Sequence, residues 1–298
     1  MKRYTLLVAG IVLFSNSLMA QFYFRAGAGY AFPQAGQSID GTSTPYSGTR
    51  SGTTYSTAFS VKNASLSSGV QGAIGCGYMF SDHIGVELSA VVGLANTKYT
   101  FTDNNVNYGG YQSTENNIVQ ANDPIIVSPS LVLQTGGSSP WNAYTRWGLA
   151  LPLNSRIAYE QVYYIASQAV TDDYIFGVKS SFSLGVTAAA GLQYTINDRM
   201  TVWGELSVLS MSLYIKEMDL QSVSENGQGV SLASVGGPHT VKYSKNATVD
   251  TNYTQLPTYS QPFSNIGLSF GISMRLSEKH SRKSEMTTDD KKYFRRKR

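Results

Sequence analysis

The sequence predicts an all-β protein: an eight-stranded antiparallel transmembrane β-barrel with short periplasmic turns and long extracellular loops. Three observations lead there. Eight runs alternate between large apolar residues and small or polar ones, the connectors between runs alternate in length, and only 14% of the 298 residues are charged. Tyrosine (20), glycine (28) and an excess of Ser, Thr and Asn stand where a soluble protein carries Lys and Glu, a surface that suits lipid more than water.

The opening twenty residues, "MKRYTLLVAGIVLFSNSLMA", carry Lys2 and Arg3, an apolar core from Leu6 to Phe14, and small residues up to Ala20. This is the pattern of a signal for Sec-type export, with cleavage expected before Gln21. Its apolar core falls short of the roughly 20 residues a spanning helix needs. No later run is long and apolar enough for a membrane helix either, so a mature chain that enters a membrane must do so as a closed barrel. The only cysteine, Cys76, forms no internal disulfide, and no Cys/His cluster of metal-binding spacing exists. No cofactor is expected.

The runs span about 22–33, 69–80, 83–96, 125–135, 141–152, 179–195, 199–213 and 263–276. In the third, Ile84, Val86, Leu88, Ala90, Val92 and Leu94 share one face, against Gly85, Glu87, Ser89, Val91 and Gly93. Each run has about the 9 to 11 residues a tilted strand needs to cross a bilayer. An even number closes an antiparallel barrel without a free edge.

Three connectors are tight, "SDH" at 81–83, "GGSSP" at 136–140 and "NDR" at 197–199. Four are long, about 34–68, 97–124, 153–178 and 214–262, and rich in Ser, Thr, Asn, Gly and Tyr. A secreted sandwich or lipocalin-like barrel would bury its oily face and charge its outer one. Here the face opposite the oily one holds Gly, Ala and Ser, too small and polar for a dry core.

These features resemble one family, the OmpA-like or porin-family outer-membrane β-barrel domain proteins. The resemblance rests on the signal, the opening strand "FYFRAGAGYAFP", the hairpins "GAIGCGYMFSDHIGVELSAVVGL" and "GVTAAAGLQYTINDRMTVWGELSVL", and the closing "NIGLSFGISMRL". It implies a barrel over residues 21–277 in the outer membrane of a Gram-negative-type cell. Residues 278–298, with nine Lys/Arg against four Asp/Glu, are then expected to form a basic, disordered periplasmic tail. Contact of that tail with an anionic cell-wall surface is its functional reading.

A carboxylate in the middle of an apolar strand needs a reason. Glu87 lies on the small, lumen-facing side, and Arg25, Arg146, Glu205 and Arg275 share that inward parity at similar depth. Two carboxylates and three guanidiniums meeting across a narrow barrel are expected to form a lumen ion-pair layer, since buried charges require partners. Structurally such a layer is a plug, and functionally it is a gate for small solutes. Phe22, Phe80, Trp141 and Tyr194 fall near the periplasmic ends of their strands, where an aromatic girdle belongs.

An enzyme reading needs a nucleophile or water activated by a positioned histidine. Only His239 stands where it could join Asp172, Asp173 or Asp250, as in a lipid A-modifying barrel, and its "GGPHT" context reads as a surface turn. The expected role is therefore non-enzymatic: a monomeric structural and surface-interaction protein in outer-membrane lipid, with a narrow pore as the alternative. Loop tyrosines Tyr108, Tyr111, Tyr163, Tyr164 and Tyr259 are candidates for contact with extracellular sugars or proteins. Nucleic acid is not an expected partner.

Overall fold

Alternation at a period of two gives each strand one oily and one small or polar face, and closing the sheet on itself turns every oily face outward at once. The computed structural model describes residues 21–34, 48–50, 53–55, 64–108, 111–137, 139–247 and 254–276. The expected signal, the basic tail, most of the 34–68 connector and Asp250 lie outside them. Eight strands form the barrel: β1 Gln21–Pro33, β2 Gly69–Met79, β3 Ile84–Asn96, β4 Tyr111–Gln134, β5 Trp141–Ile165, β6 Gly185–Thr195, β7 Met200–Ser210 and β8 Asn265–Arg275. Each pairs antiparallel with the next in chain order. β8 then pairs with β1 from Tyr23↔Arg275 to Pro33↔Asn265 and closes the ring. The described residues contain no α-helix.

Phe24, Ile74, Leu88, Trp147, Leu206 and Phe270 are all exposed on the outer face, although most soluble proteins bury such residues. They form a continuous belt that hydrocarbon, not water, solvates. The fold is a transmembrane barrel. Phe22, Phe80, Trp141 and Tyr194 lie exposed at the turn end of this belt. Phe22 and Phe80 flank Tyr78, at ring distances of 4.7 and 5.3 Å, and Trp141 lies 4.9 Å from Tyr194.

Side-chain chemistry makes the tight turns. Ser81 Oγ accepts hydrogen bonds from the His83 and Ile84 amides, and Asn197 Oδ1 accepts from the Arg199 and Met200 amides. Between β4 and β5, Gly136 and Gly137 take positive φ, 64° and 102°, which side chains disfavour.

At the other end the structure departs from the expected loops. β4 and β5 run on together to Thr114↔Tyr164, flanked by a strand at Tyr99–Tyr108 on β4 and one at Val170–Ser180 on β5. Ser212–Glu225 adds to the latter, and Thr240–Ser244 adds to Ser212–Glu225. The connectors at 97–124 and 153–178, and much of 214–262, are thus ordered sheet rather than loop. The 179–195 run also divides, because Ser180 ends one strand and β6 begins at Gly185, and the 199–213 run divides at Met211.

The physical reason is a reversal of facing. Ser128, Ser130 and Val132 are buried low on β4, whereas Val119 and Ala121, of opposite parity, are buried above. The ladder is interrupted between Asn122 and Ile126, where Asp123 has φ 43°. A bulge there, taken up on both strands so that the register is the same above and below, turns every later side chain over, so the oily alternation breaks although the strands continue. Above the bulge the inward residues make a dry core with Leu66, Leu213, Ile215 and Phe263, which closes the mouth of the barrel. Asn265 Nδ2 donates to Ser67 O and Oγ at 3.2 and 2.8 Å, and the Leu66 amide donates to Pro262 O, tying this stopper to the wall.

Cys76 is exposed on the same outer face as Ile74. In intact lipid vesicles it should resist a charged maleimide and react with a membrane-soluble one. Rapid labelling by the charged reagent would place this strand face in water.

Candidate functional site

Inside the barrel Arg25 stands on β1, Glu87 on β3, Arg146 on β5 and Glu205 on β7, so charge comes from alternate strands with alternating sign. The intervening strands present mostly small residues at these levels: Gly75 and Gly77, Ser130 beside Val132, Ala189 and Gly191, Ser269 and Ser273. Strand tilt would spread four such charges along the axis, but their positions offset it. The ladder from Arg25 reaches Ser89 on β3, two residues beyond Glu87. That from Glu87 reaches Gly148, two beyond Arg146, and that from Arg146 reaches Ser207, two beyond Glu205. The four charges stay level.

They close into a ring. Arg25 donates through Nη1 to Glu87 Oε2 at 3.5 Å and through Nη2 to Glu205 Oε2 at 2.9 Å. Arg146 donates through Nη1 to Glu87 Oε1 at 2.6 Å and through Nη2 to Glu205 Oε1. A phenol completes each carboxylate: Tyr23 donates to Glu87 Oε2 and Tyr144 to Glu205 Oε2, both at 2.8 Å. Arg25 also lies over the Trp203 ring at 3.9 Å, a cation–π contact. Glu87 and Glu205 are 3% and 6% exposed. Carboxylates so buried remain tenable only with such charge-assisted partners.

The sequence reading missed Tyr23, Tyr144 and Trp203. Each stands two residues before a ring member, on the same inward parity, so their facing was available. Their reach was not. Glycine makes room for them: a Cβ at Gly77 would fall 2.2 Å from the Tyr23 ring, at Gly27 or Gly271 2.5 Å from Trp203, and at Gly191 2.7 Å from Tyr144.

Arg275 is the exception among the expected layer. It sits on β8 opposite Tyr23, two residues nearer the turns than Ser273, the ladder partner of Arg25, and makes no ion pair within the described residues. Both carboxylates are already fully engaged one level up, so Arg275 lies outside the layer.

The ring divides the lumen. On the head side a cavity of ≈ 70 Å³ is lined by Arg25, Arg146, Glu205 and several serines, and on the turn side one of ≈ 40 Å³ reaches Arg275. Arg146 Nε and Ser130 Oγ, at the first, and Trp203 Nε1, at the second, are buried without a protein hydrogen-bond partner. Both spaces are polar enough to hold water.

His239 is exposed, its Nε2 3.2 Å from Val235 O. Asp172 and Asp173 face Glu225 and Ser224 in the ladder, whereas the His239 carbonyl bonds to the Leu220 amide. His83 lies in its turn with Nδ1 3.2 Å from Gln134 O. The described residues contain no group of three or more His, Cys, Asp or Glu that could hold a metal ion.

On the head, Tyr159, Tyr163, Tyr174 and Phe176 share one face, with Tyr163 6.0 Å from Tyr174 and Tyr159 5.9 Å from Phe176. Gln161 Nε2 donates to Glu115 at 3.0 Å between them. Burial, and then the Glu115 carboxylate, push the Tyr159 and Tyr163 hydroxyls above the usual phenol range, so both stay neutral.

No protein-family model matches the chain, and no curated protein matches it. Among solved structures it is similar to the outer membrane protein OprG from Pseudomonas aeruginosa, at 14% identity over 86% of this chain and 96% of that one, with a TM-score of 0.44. It is also similar to Ail, the attachment invasion locus protein of Yersinia pestis, at 7% identity over 86% of this chain and 97% of that one, with a TM-score of 0.28.

Glu87→Gln and Glu205→Gln should each lower the stability of the detergent-folded barrel by about 3–5 kcal/mol, because each leaves two buried guanidiniums short of charge. Wild-type denaturant midpoints in both would refute the ring. Exchanging one pair, Glu205→Arg with Arg146→Glu, sets a carboxylate at 146 against Glu87 and a guanidinium at 205 against Arg25, so it should not restore stability. Reversing all four charges should restore part of it.

Proposed function

We propose that this chain is an OmpA-like outer-membrane protein whose barrel is a sealed anchor and whose head is a surface-interaction platform. The closed ring of Arg25, Glu87, Arg146 and Glu205 carries this reading, because four mutually satisfied charges meet across the lumen at one level. Short turns at one end and long strands at the other match a barrel with its turns in the periplasm and its head outside. The apolar belt takes outer-membrane lipid as its solvent, and ring closure leaves the membrane part of a monomer no sheet edge to pair. Phe22, Phe80, Trp141 and Tyr194 would then form the periplasmic girdle, and the basic tail would contact anionic cell wall.

The head supports the interaction half of the proposal. Beside its dry core the head carries half-buried tyrosines flanked by amides and a carboxylate, groups of the kind that stack on sugars or dock proteins. A second reading, a narrow gated pore, draws on the two cavities that lie on either side of the ring. In that reading the ion pairs change partners to pass a small solute.

Planar-bilayer recording separates the two. The sealed anchor should carry almost no steady current as wild type or as Glu205→Gln, and a deletion strain should lose adhesion rather than solute uptake. Long-lived unitary openings in wild type that lengthen in Glu205→Gln would replace the anchor with the pore.

A further inference from the structure

The lumen carries one charge more than its ring can balance. Arg25, Arg146, Glu87 and Glu205 sum to zero, and Arg275 adds a guanidinium one level nearer the turns. The cavity of ≈ 40 Å³ beneath the ring is walled by Arg25 and Arg275 together with Tyr23, Tyr144, Trp203 and Ser273. Neither ring carboxylate belongs to that wall, since Glu205 lines the cavity on the other side and Glu87 lines neither. Trp203 is 5% exposed, yet its indole N–H has no acceptor in the protein. Thr201 adds a hydroxyl to the same wall, whereas Gln193 Nε2 there already donates to Gln134 Oε1 at 2.9 Å. Asp82, in the neighbouring turn, acts on Arg275 through its charge but stands beyond ion-pair distance from it, outside the wall of the cavity.

Two guanidiniums, an unanswered indole N–H and the Ser273 and Thr201 hydroxyls around a space hardly larger than one or two waters define an anion site. We propose that this cavity binds one small monovalent anion, a halide or a small carboxylate, entered from the turn end of the barrel. Arg275 supplies the charge, Trp203 Nε1 and Ser273 Oγ direct hydrogen bonds, and Arg25 contributes without leaving its carboxylates. The anion neutralises the surplus cation and satisfies the buried indole at once. Whether the ring opens or stays shut does not enter this assignment, so failure of the sealed-anchor reading leaves it standing.

Bromide tests it. The chain has three tryptophans, so Trp141→Phe with Trp147→Phe leaves Trp203, against the cavity, as the sole tryptophan, excited selectively over the tyrosines at the red edge of the absorption band. In the folded barrel in detergent, bromide should quench Trp203 along a saturating curve. Arg275→Gln should weaken the half-saturation about tenfold or more, whereas Arg275→Lys should retain most of it. Crystals grown with bromide should show an anomalous peak between Arg275 and the Trp203 indole, a measurement that serves equally if Arg275→Gln does not fold. Linear quenching that is identical in wild type and Arg275→Gln, or an empty anomalous map at that position, would overturn the proposal.

Discussion

The ring formed by Arg25, Glu87, Arg146 and Glu205 constrains the rest of the barrel. Each of the four groups touches two opposite charges, so none can be removed or turned away without stranding two others in a space that water barely enters. The arrangement works only if charge sits on alternate strands with alternating sign and if the total is four, which is what eight strands in chain order provide. An insertion of one residue between Arg25 and the β1 end would turn that guanidinium into lipid. Register is therefore specified from inside the barrel, where the outer face, oily everywhere, distinguishes one slip of two residues from another only weakly.

Small residues on the lumen face follow from the same constraint. Gly27, Gly77, Gly191 and Gly271 stand where Tyr23, Tyr144 and Trp203 need the space that a Cβ would take. Those rings in turn supply a phenol to each carboxylate and a π-face to Arg25. A wall of glycine is thus one half of a packing arrangement whose other half is three large rings. With no apolar core inside the membrane, the barrel is held by its ladder, its lipid contact and this polar centre. The hydrophobic core of the molecule lies outside the belt, where Leu66, Leu213, Ile215 and Phe263 pack under the head strands.

The head strands show why part of the fold was hidden in the sequence. "YTFTDNNV", "EQVYYI" and "VTDDYIFGV" alternate poorly, because in the head neither face is lipid and the inner face mixes Val119 and Ile157 with Asn117, Gln161 and Glu115. Their Ser, Thr, Asn and Tyr content reads as loop by composition. The bulge beside Asp123 also inverts parity, leaving Asp123 and Pro124 out of the β4–β5 ladder while the same register resumes beyond them. A reading based on period two stops at the bulge, whereas the backbone pairing resumes beyond it.

By itself the sequence determined the facing of the membrane strands, since a period of two admits only one assignment once Phe24, Ile74, Leu88 and Trp147 must share a side. The inward facing of Arg25, Glu87, Arg146, Glu205 and Arg275 came with it, as did the strand count and the tight turns at 81–83, 136–140 and 197–199. Only the tertiary structure decided which of the five charges meet. Height across a barrel depends on shear, and shear is a property of eight registers taken together, not of any one strand. Register put four charges level, left Arg275 one step down beside Trp203, and gave Tyr23 and Tyr144 to the carboxylates. Parity is local and can be read from a single run. Level is global, and it exists only when the last strand has paired with the first.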